Sequence, residues 1–334
     1  MLKRSVAAVR ISLERLLVAW LVLFSLLAYY WDVWFIGLGD PFVASRPWLN
    51  VIIAATMFAI GSLLPRDEIE QVARKWPTVL GGTTVQYLSM PLLAYGVGRA
   101  FGFEGPLLAG VIMTGCVPGA MASNVLTLAA GANVSYSVSL TTTATLLSPL
   151  MVPLALQFTL GQWRPLPAGQ VSFTLLVTVV LPVVAGYVLS RYVKRWETTA
   201  REIGPIIANL TILWIIAVVV ALNRDRLARS EGLLLAALLT LNLGGYLAGY
   251  LGGSLMRLPQ PMRRALTLEV GMQNAGLGTF LVLELFPDEP QTAIPTALYT
   301  FGCMFTGTML ARAWAEWNRR KDCPREKERR KQPG

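Results

Sequence analysis

Long apolar stretches separated by short polar segments dominate the hydropathy pattern of this chain. The clearest runs are 16–38, 173–189, 205–222 and 233–256, and they contain almost no charged residues. A helix that crosses the ~30 Å hydrocarbon core of a bilayer needs about 20 apolar residues, because an α-helix rises ~1.5 Å per residue. Lipid offers no partner to unpaired backbone groups, and the sequence lacks the alternation of a barrel strand. The runs therefore predict membrane-spanning helices.

Ten spans are predicted, at 16–38, 48–64, 76–99, 106–130, 134–160, 170–193, 203–222, 232–256, 262–286 and 291–317. The first run is too long for a cleavable signal peptide, and no small-residue cleavage site follows it, so we interpret it as the first span. An even number of spans places both termini on one side, and two halves of five spans run in opposite directions. We expect an all-α membrane protein with two inverted five-helix repeats, residues 1–160 and 161–317, and a charged cytoplasmic tail at 318–334.

Composition and charge agree with this topology. The chain has 334 residues, of which 54% are hydrophobic and only 14% charged, whereas soluble domains carry roughly 25% charged residues. On the predicted topology 23 of the 29 Lys and Arg residues lie on the side of the termini. The positive-inside rule then makes both termini cytoplasmic and explains the net charge of +10 without a nucleic-acid partner. We expect the charged tail after Trp317 to be solvated and partly disordered, with weak binding to anionic membrane lipid as the alternative.

Residue types that support catalysis are scarce. The chain has no histidine, and its three cysteines, Cys116, Cys303 and Cys323, show no pairing or zinc-binding pattern. No Ser–His, Asp–Asp or metal constellation is present, so an intramembrane enzyme is not predicted. A membrane sensor would carry an added soluble domain, and the tail after Trp317 is too short and too charged to fold as one.

Two segments interrupt the plain apolar helices. The first is 114–124 (TGCVPGAMASN) and the second is 269–278 (EVGMQNAGLG). Pro118 lacks an amide donor and glycine permits unwinding, and unwound backbone at membrane depth is tolerated only inside protein or beside water. The segments fall in the fourth and ninth spans, which are corresponding positions of the two halves. Such paired interruptions predict discontinuous helices that meet at a transporter binding site.

Glu269 is the one acidic residue that we place deep inside a span. A buried charge costs several kcal/mol, so we expect Glu269 to form a cation or proton site, with a structural ion pair or a capping carboxylate as the alternative. Gln86 lies in the middle of the third span, and Pro91, which follows it, would free a nearby carbonyl. Gln86 is therefore a second candidate ligand, with an interhelical hydrogen bond as the alternative.

Hydroxyl side chains line one face of the fifth span, because Ser137, Thr141, Thr145 and Ser148 are spaced by three or four residues. We expect Ser137 and Thr141 to bind a cation. Thr145 and Ser148 are expected to bond back to their own helix. Neutral oxygens with a single carboxylate suit a monovalent cation better than calcium.

At these residues the chain resembles the bile acid:sodium symporter family, particularly its bacterial members. The resemblance is carried by 115–153, especially GCVPG at 115–119 and ASNVLT at 122–127, and by EVGMQN at 269–274. It implies ten helices in two inverted repeats, with discontinuous crossing helices four and nine. It also implies a panel domain and a core domain that enclose the substrate cavity.

The resemblance implies two Na+ sites and a substrate site. One sodium set comprises Ser123, Asn124, Ser137, Thr141 and Glu269. The other comprises Gln86, Glu269, Gln273 and the backbone carbonyls of Val270 and Met272. The substrate set comprises Asn274, the backbone of Gly119, Ala120 and Met121, and also Thr127 and Met304.

The function that follows is sodium-coupled import of a small organic anion, bile-acid-like or pantoate-like, by alternating access. We expect a monomer that lies in a bacterial inner membrane. We do not expect an enzyme. Bacterial relatives that transport bile acids carry His-Asn in the last span where this chain has Cys303-Met304, which favours smaller carboxylates. The alternative is a proton-coupled or arsenite-exporting transporter of the same superfamily, which Cys116 and Glu269 leave open.

Overall fold

A computed structural model of the chain describes residues 12–13, 16–65, 68–161, 167–227 and 232–329. These residues are almost entirely helical, and one isolated bridge is the only extended pairing among them. The longer helices are α1 (Leu17–Tyr29), α2 (Leu49–Ser62), α3 (Trp76–Ala100), α4 (Gly105–Cys116), α5 (Ala122–Ala129), α6 (Val134–Leu160), α7 (Ala168–Tyr192), α8 (Lys194–Leu222), α9 (Gly232–Leu255), α10 (Gln260–Gly271), α11 (Ala275–Leu285) and α12 (Ile294–Arg329).

Four of the described helices, α6 to α9, are long and apolar enough to cross a membrane. Helices α1, α4 and α11 are apolar but shorter. The last two are short because each is one part of an interrupted predicted span. The finding supports an all-helical membrane protein, and the count of ten spans stays a prediction.

Helix ends differ from the sequence expectation at three places. Helix α1 ends at Tyr29 and not at 38, and the rest of the predicted span holds a separate short helix, Trp31–Trp34, and a turn at Gly37 with a φ of 84°. Helix α8 begins at Lys194 and not at 203, and the i,i+4 ion pair of Glu197 and Arg201, at 3.0 Å, supports its added turns. Helix α12 continues past 317 to Arg329. Polar residues therefore extend helices beyond the apolar runs.

Short helical segments occupy several of the connections: Trp31–Trp34, Pro41–Ala44, Arg46–Trp48, Glu68–Arg74, Arg224–Leu227 and Pro290–Ala293. The Asp40 carboxylate caps the helix that begins at Pro41 by accepting two amide hydrogen bonds, at 2.8 and 3.1 Å. Arg224, the first residue of the short helix after α8, pairs with both Asp40 and Asp32 and donates to the Ala28 carbonyl of α1 at 2.7 Å. Asp32 is thus paired within the protein although its side chain is largely exposed.

The helices pack in two groups. Helices α1, α2, α7 and α8 form the first group, in which α2 packs against α7 and α8. Helices α3 to α6 and α9 to α12 form the second group, in which α9 packs against α3, α10 and α12. Both interrupted segments lie in the second group, and the panel and core domains that the resemblance implies stay a prediction.

A glycine stripe sets the close packing of α9 on α10. The spacing of Gly245, Gly249 and Gly253 predicts a helix-packing surface. A Cβ atom at Gly249 would lie 2.7 Å from the Leu266 carbonyl oxygen, and one at Gly245 would lie 3.0 Å from the Gly271 Cα atom. Both neighbours are backbone, which cannot yield easily. The packing prediction is confirmed.

Candidate functional site

The two interrupted segments lie side by side. Residues 117–121 separate α4 from α5, and residues 272–274 separate α10 from α11. Two backbone hydrogen bonds join the breaks as an antiparallel bridge: the Ala120 amide donates to the Met272 carbonyl at 2.7 Å, and the Asn274 amide donates to the Pro118 carbonyl at 2.8 Å. Each break therefore satisfies part of the backbone that the other leaves without helical partners.

The Glu269 carboxylate lies at this crossing and is fully buried. It accepts hydrogen bonds from the Ser123 hydroxyl at 2.5 Å and the Thr141 hydroxyl at 2.6 Å. Gly119 packs so closely that a Cβ atom there would lie 2.1 Å from Glu269 Oε1. In the described part of the chain no Lys or Arg lies within ion-pair distance of Glu269. The structural ion pair considered from the sequence therefore has no partner among these residues.

Further oxygen atoms from α5 and α6 surround the carboxylate. The Thr141 hydroxyl oxygen lies 3.5 Å from Asn124 Oδ1 and 3.0 Å from the Ser137 carbonyl oxygen. The Thr127 hydroxyl donates to Ser137 Oγ at 3.2 Å. The structure thus brings the whole first sodium set together. Farther along α6, Ser148 donates to the Thr145 carbonyl at 2.7 Å, which confirms the expected back-bonding of Ser148.

The second predicted set also converges. Gln86 Nε2 lies 3.3 Å from Gln273 Oε1, and Gln273 Nε2 donates to the Val270 carbonyl at 2.6 Å. The Met272 carbonyl accepts the bridge from the other break. Gln86 Oε1 is buried and has no hydrogen-bond partner. A buried acceptor without a partner costs about 1–3 kcal/mol, which a bound cation would offset.

The available ligands select the kind of cation. One carboxylate, hydroxyls, side-chain amides and backbone carbonyls are all hard oxygen donors, and the single negative charge suits a monovalent ion. Within the described residues, no group of three or more His, Cys, Asp or Glu side chains could hold a metal ion. The Cys116 thiol, which left arsenite open, is fully buried at the end of α4.

The predicted substrate residues differ in how deeply they are buried. Ala120, Met121, Asn274 and Met304 are half-buried, whereas Gly119 and Thr127 are buried. The side-chain oxygen of Asn274 caps α11 by accepting the Leu277 amide at 3.1 Å, so its NH2 group is the part left to meet a ligand. The Thr127 hydroxyl contacts the first sodium set. Its role as a substrate residue stays a prediction.

Sequence reasoning missed two side chains that touch the second break. Asn242 Nδ2 and the Tyr299 hydroxyl both donate to the Gly271 carbonyl, at 2.7 and 2.8 Å. The available signal was Asn242 itself, because a polar residue inside an apolar helix is costly in a membrane and calls for a partner.

Interrupted helices that cross at a buried carboxylate, with neutral oxygen atoms around it, are typical of a helical membrane transporter. The sequence model of the Sodium Bile acid symporter family matches residues 50–230, which is more than half of the chain. The chain belongs to this sodium bile acid symporter family.

Relatives extend the similarity beyond the matched region. A Bacillus subtilis (strain 168) protein named "Uncharacterized sodium-dependent transporter YocS" is 33% identical over 296 residues, which cover 87% of this chain and 91% of the relative. The Arabidopsis thaliana "Probable sodium/metabolite cotransporter BASS1, chloroplastic" is 30% identical over 267 residues, covering 80% and 66%. The Oryza sativa subsp. japonica BASS2 protein of the same description is 28% identical over 258 residues, covering 77% and 61%.

The chain therefore spans nearly all of the Bacillus relative and about two thirds or less of the two plant relatives. The family and these relatives are transporters and not enzymes, as the sequence predicts. Their names also support sodium as the coupling ion.

Proposed function

We propose that the protein is a symporter that couples inward movement of Na+ to import of a small organic anion by alternating access. The observation that carries the proposal is the crossing at Glu269, where the carboxylate meets the hydroxyls of Ser123 and Thr141. The partnerless oxygen of Gln86, in the second predicted sodium set, adds an acceptor that a cation would satisfy. The sodium-dependent relatives support the identity of the ion.

Electrostatics explain why Na+ would bind at the crossing. An ionised carboxylate without a nearby cation is costly to bury, so Na+ binding would stabilise the charged form of Glu269. Both predicted sets include Glu269, and we propose one ion in each. Binding would also hold the two breaks in their crossed arrangement, to which each contributes backbone hydrogen bonds.

The substrate side favours a carboxylate. Helices α5 and α11 begin directly after the breaks, at Ala122 and Ala275, and the first amides of a helix attract anions. The half-buried backbone at Ala120 and the Asn274 NH2 group are further donors. We propose a pantoate-like carboxylate over a bile acid, because Cys303 is buried and Met304 is apolar where a polar pair would stand.

The proposed architecture has ten spans in two inverted repeats, residues 1–160 and 161–317, with both termini in the cytoplasm of a bacterial cell. An interruption in each half, and the two bridge hydrogen bonds between them, support this arrangement. The proposed active form is a monomer.

The experiment is uptake into proteoliposomes, with radiolabelled pantoate as the first probe and other small carboxylates after it. Uptake should require an inward Na+ gradient, and the Glu269→Gln variant should lose it. The matched control is Glu284→Gln, because Glu284 is exposed at the end of α11 and its contact with Asn50, at 3.3 Å, lies outside the site. Uptake driven by a proton gradient without Na+ would replace the proposal with the proton-coupled alternative.

A further inference from the structure

The last carbonyl of α10 has an unusual arrangement of partners. A helix leaves its final carbonyls without intrahelical donors, and they need partners from elsewhere when they are buried. The Gly271 carbonyl receives two, the Asn242 amide from α9 at 2.7 Å and the Tyr299 hydroxyl from α12 at 2.8 Å. An oxygen with two lone pairs is then fully occupied. Gly271 therefore cannot itself ligate an ion in this arrangement.

These two bonds fix the orientation of a peptide plane. The Gly271 carbonyl and the Met272 amide belong to the same planar unit. The Met272 amide donates to the Leu268 carbonyl at 2.9 Å, so the unit is held at both ends. The carbonyls on either side of it, those of Val270 and Met272, are the two backbone members of the second sodium set. Their directions depend on the plane between them.

A second layer of contacts fixes Asn242. The Thr306 hydroxyl donates to Asn242 Oδ1 at 2.7 Å, which leaves the Asn242 NH2 group for the Gly271 carbonyl. The Tyr246 hydroxyl lies 3.1 Å from Thr306 Oγ1. The Tyr246 ring also covers the break, because a Cβ atom at Gly271 would lie 2.1 Å from the ring. Helices α9 and α12 thus hold the break through one connected network.

We infer that Asn242 and Tyr299 are positioning residues for the sodium site, which orient the Gly271–Met272 peptide so that the Val270 and Met272 carbonyls can bind the ion. The inference rests on the proposed function. Removing either donor loosens the peptide, because only the other donor and the Met272 amide bond then hold it, and the flanking carbonyls are less firmly oriented. Partners of metal ligands typically change metal affinity about 10- to 100-fold when they are removed.

The test is the Na+ concentration that gives half-maximal thermal stabilisation of the purified full chain, with choline as the control cation. Tyr299→Phe should raise this concentration roughly five- to tenfold, in line with the loss of one of the two hydrogen bonds that orient the peptide between the ligand carbonyls. Asn242→Leu should raise this Na+ concentration further. If that variant does not fold, the result for Tyr299→Phe alone tests the inference.

Tyr87→Phe is the matched control. The Tyr87 hydroxyl also donates to a buried backbone carbonyl at 2.8 Å, that of Ala144, but this carbonyl belongs to the uninterrupted helix α6. Tyr87→Phe should keep the wild-type Na+ concentration for half-maximal stabilisation (the Na+ midpoint). Without Na+ it should lose about as much stability as Tyr299→Phe. Equal midpoints in Tyr299→Phe and wild type would overturn the inference and leave the proposed function standing. Absence of a Na+ response in wild type would contradict the proposed function and the inference together.

Discussion

At the scale of single residues, the site depends on how closely neutral groups approach the Glu269 carboxylate. Gly119 is the sharpest case, because a Cβ atom there would lie 2.1 Å from Oε1. Gly119→Ala should lower the free energy of unfolding by about 1–3 kcal/mol, the usual cost of overpacking, and should abolish stabilisation by Na+. Thermal unfolding with and without Na+ measures both effects.

The control for Gly119 is Gly96→Ala in α3, where nothing lies within 4 Å of an added Cβ atom. That variant should keep the wild-type Na+ response and be no less stable than wild type, because alanine is favoured over glycine inside a helix. A Gly119→Ala protein with wild-type stability and Na+ response would contradict the close approach.

Gln86 gives a second prediction at this scale. Its buried Oε1 atom has no protein partner, whereas its Nε2 atom donates to Gln273 Oε1 at 3.3 Å. Gln86→Leu therefore removes one weak hydrogen bond and one unsatisfied acceptor, and the two losses offset each other in the Na+-free protein. We expect the apparent Na+ affinity to fall roughly tenfold. Stability without Na+ should change little, and a loss of stability with unchanged Na+ affinity would assign Gln86 a purely structural role. A Na+ titration of thermal stability separates the two.

Sequence could identify some of these residues and not others. Glu269 and the two breaks were predictable, because an isolated acidic residue and helix breakers are conspicuous in apolar helices. Asn242 and Tyr299 were not, because their contacts to Gly271 join residues far apart in sequence, and one Asn or Tyr in a span is compatible with many partners. The capping bond from Asn274 to Leu277 likewise depends on where α11 begins.

At the scale of helices, close packing of α9 on α10 holds the second break against the first. Gly249→Ala should destabilise the protein by about 1–3 kcal/mol, because the new Cβ atom would lie 2.7 Å from the Leu266 carbonyl oxygen. Gly244→Ala is the control on the same helix, since its Cβ atom would lie 3.6 Å from the Leu93 side chain. Thermal unfolding of the two variants checks the prediction, and equal stabilities would refute it.

The hydropathy pattern predicts the ends of some helices correctly and of others incorrectly. The predicted bounds of α6, 134–160, agree with the structure because apolar and hydroxyl residues fill its length. Helices α8 and α12 run on through charged residues that a hydropathy pattern excludes, whereas α1 stops early. The backbone hydrogen bonds of a helix form with polar and apolar side chains alike. A helix can therefore extend beyond the apolar segment that crosses the membrane.

At the scale of the whole molecule, the ten-span topology makes a prediction about which loops face outward. In a protein without its native cysteines, Glu104→Cys and Asp288→Cys should react with a membrane-impermeant thiol reagent in intact cells. Gln260→Cys should react only after permeabilisation. All three positions are exposed, so their accessibility depends on the side of the membrane. Labelling of position 260 in intact cells would contradict the inverted arrangement.

The central claim is that Na+ binds at the crossing through Glu269, and equilibrium binding of ²²Na+ to the purified protein tests it most directly. Wild type and Glu284→Gln should show saturable binding. Glu269→Gln should show none, because both predicted ion sets include this carboxylate. Binding of ²²Na+ by Glu269→Gln with wild-type affinity, or its absence in wild type, would contradict the account.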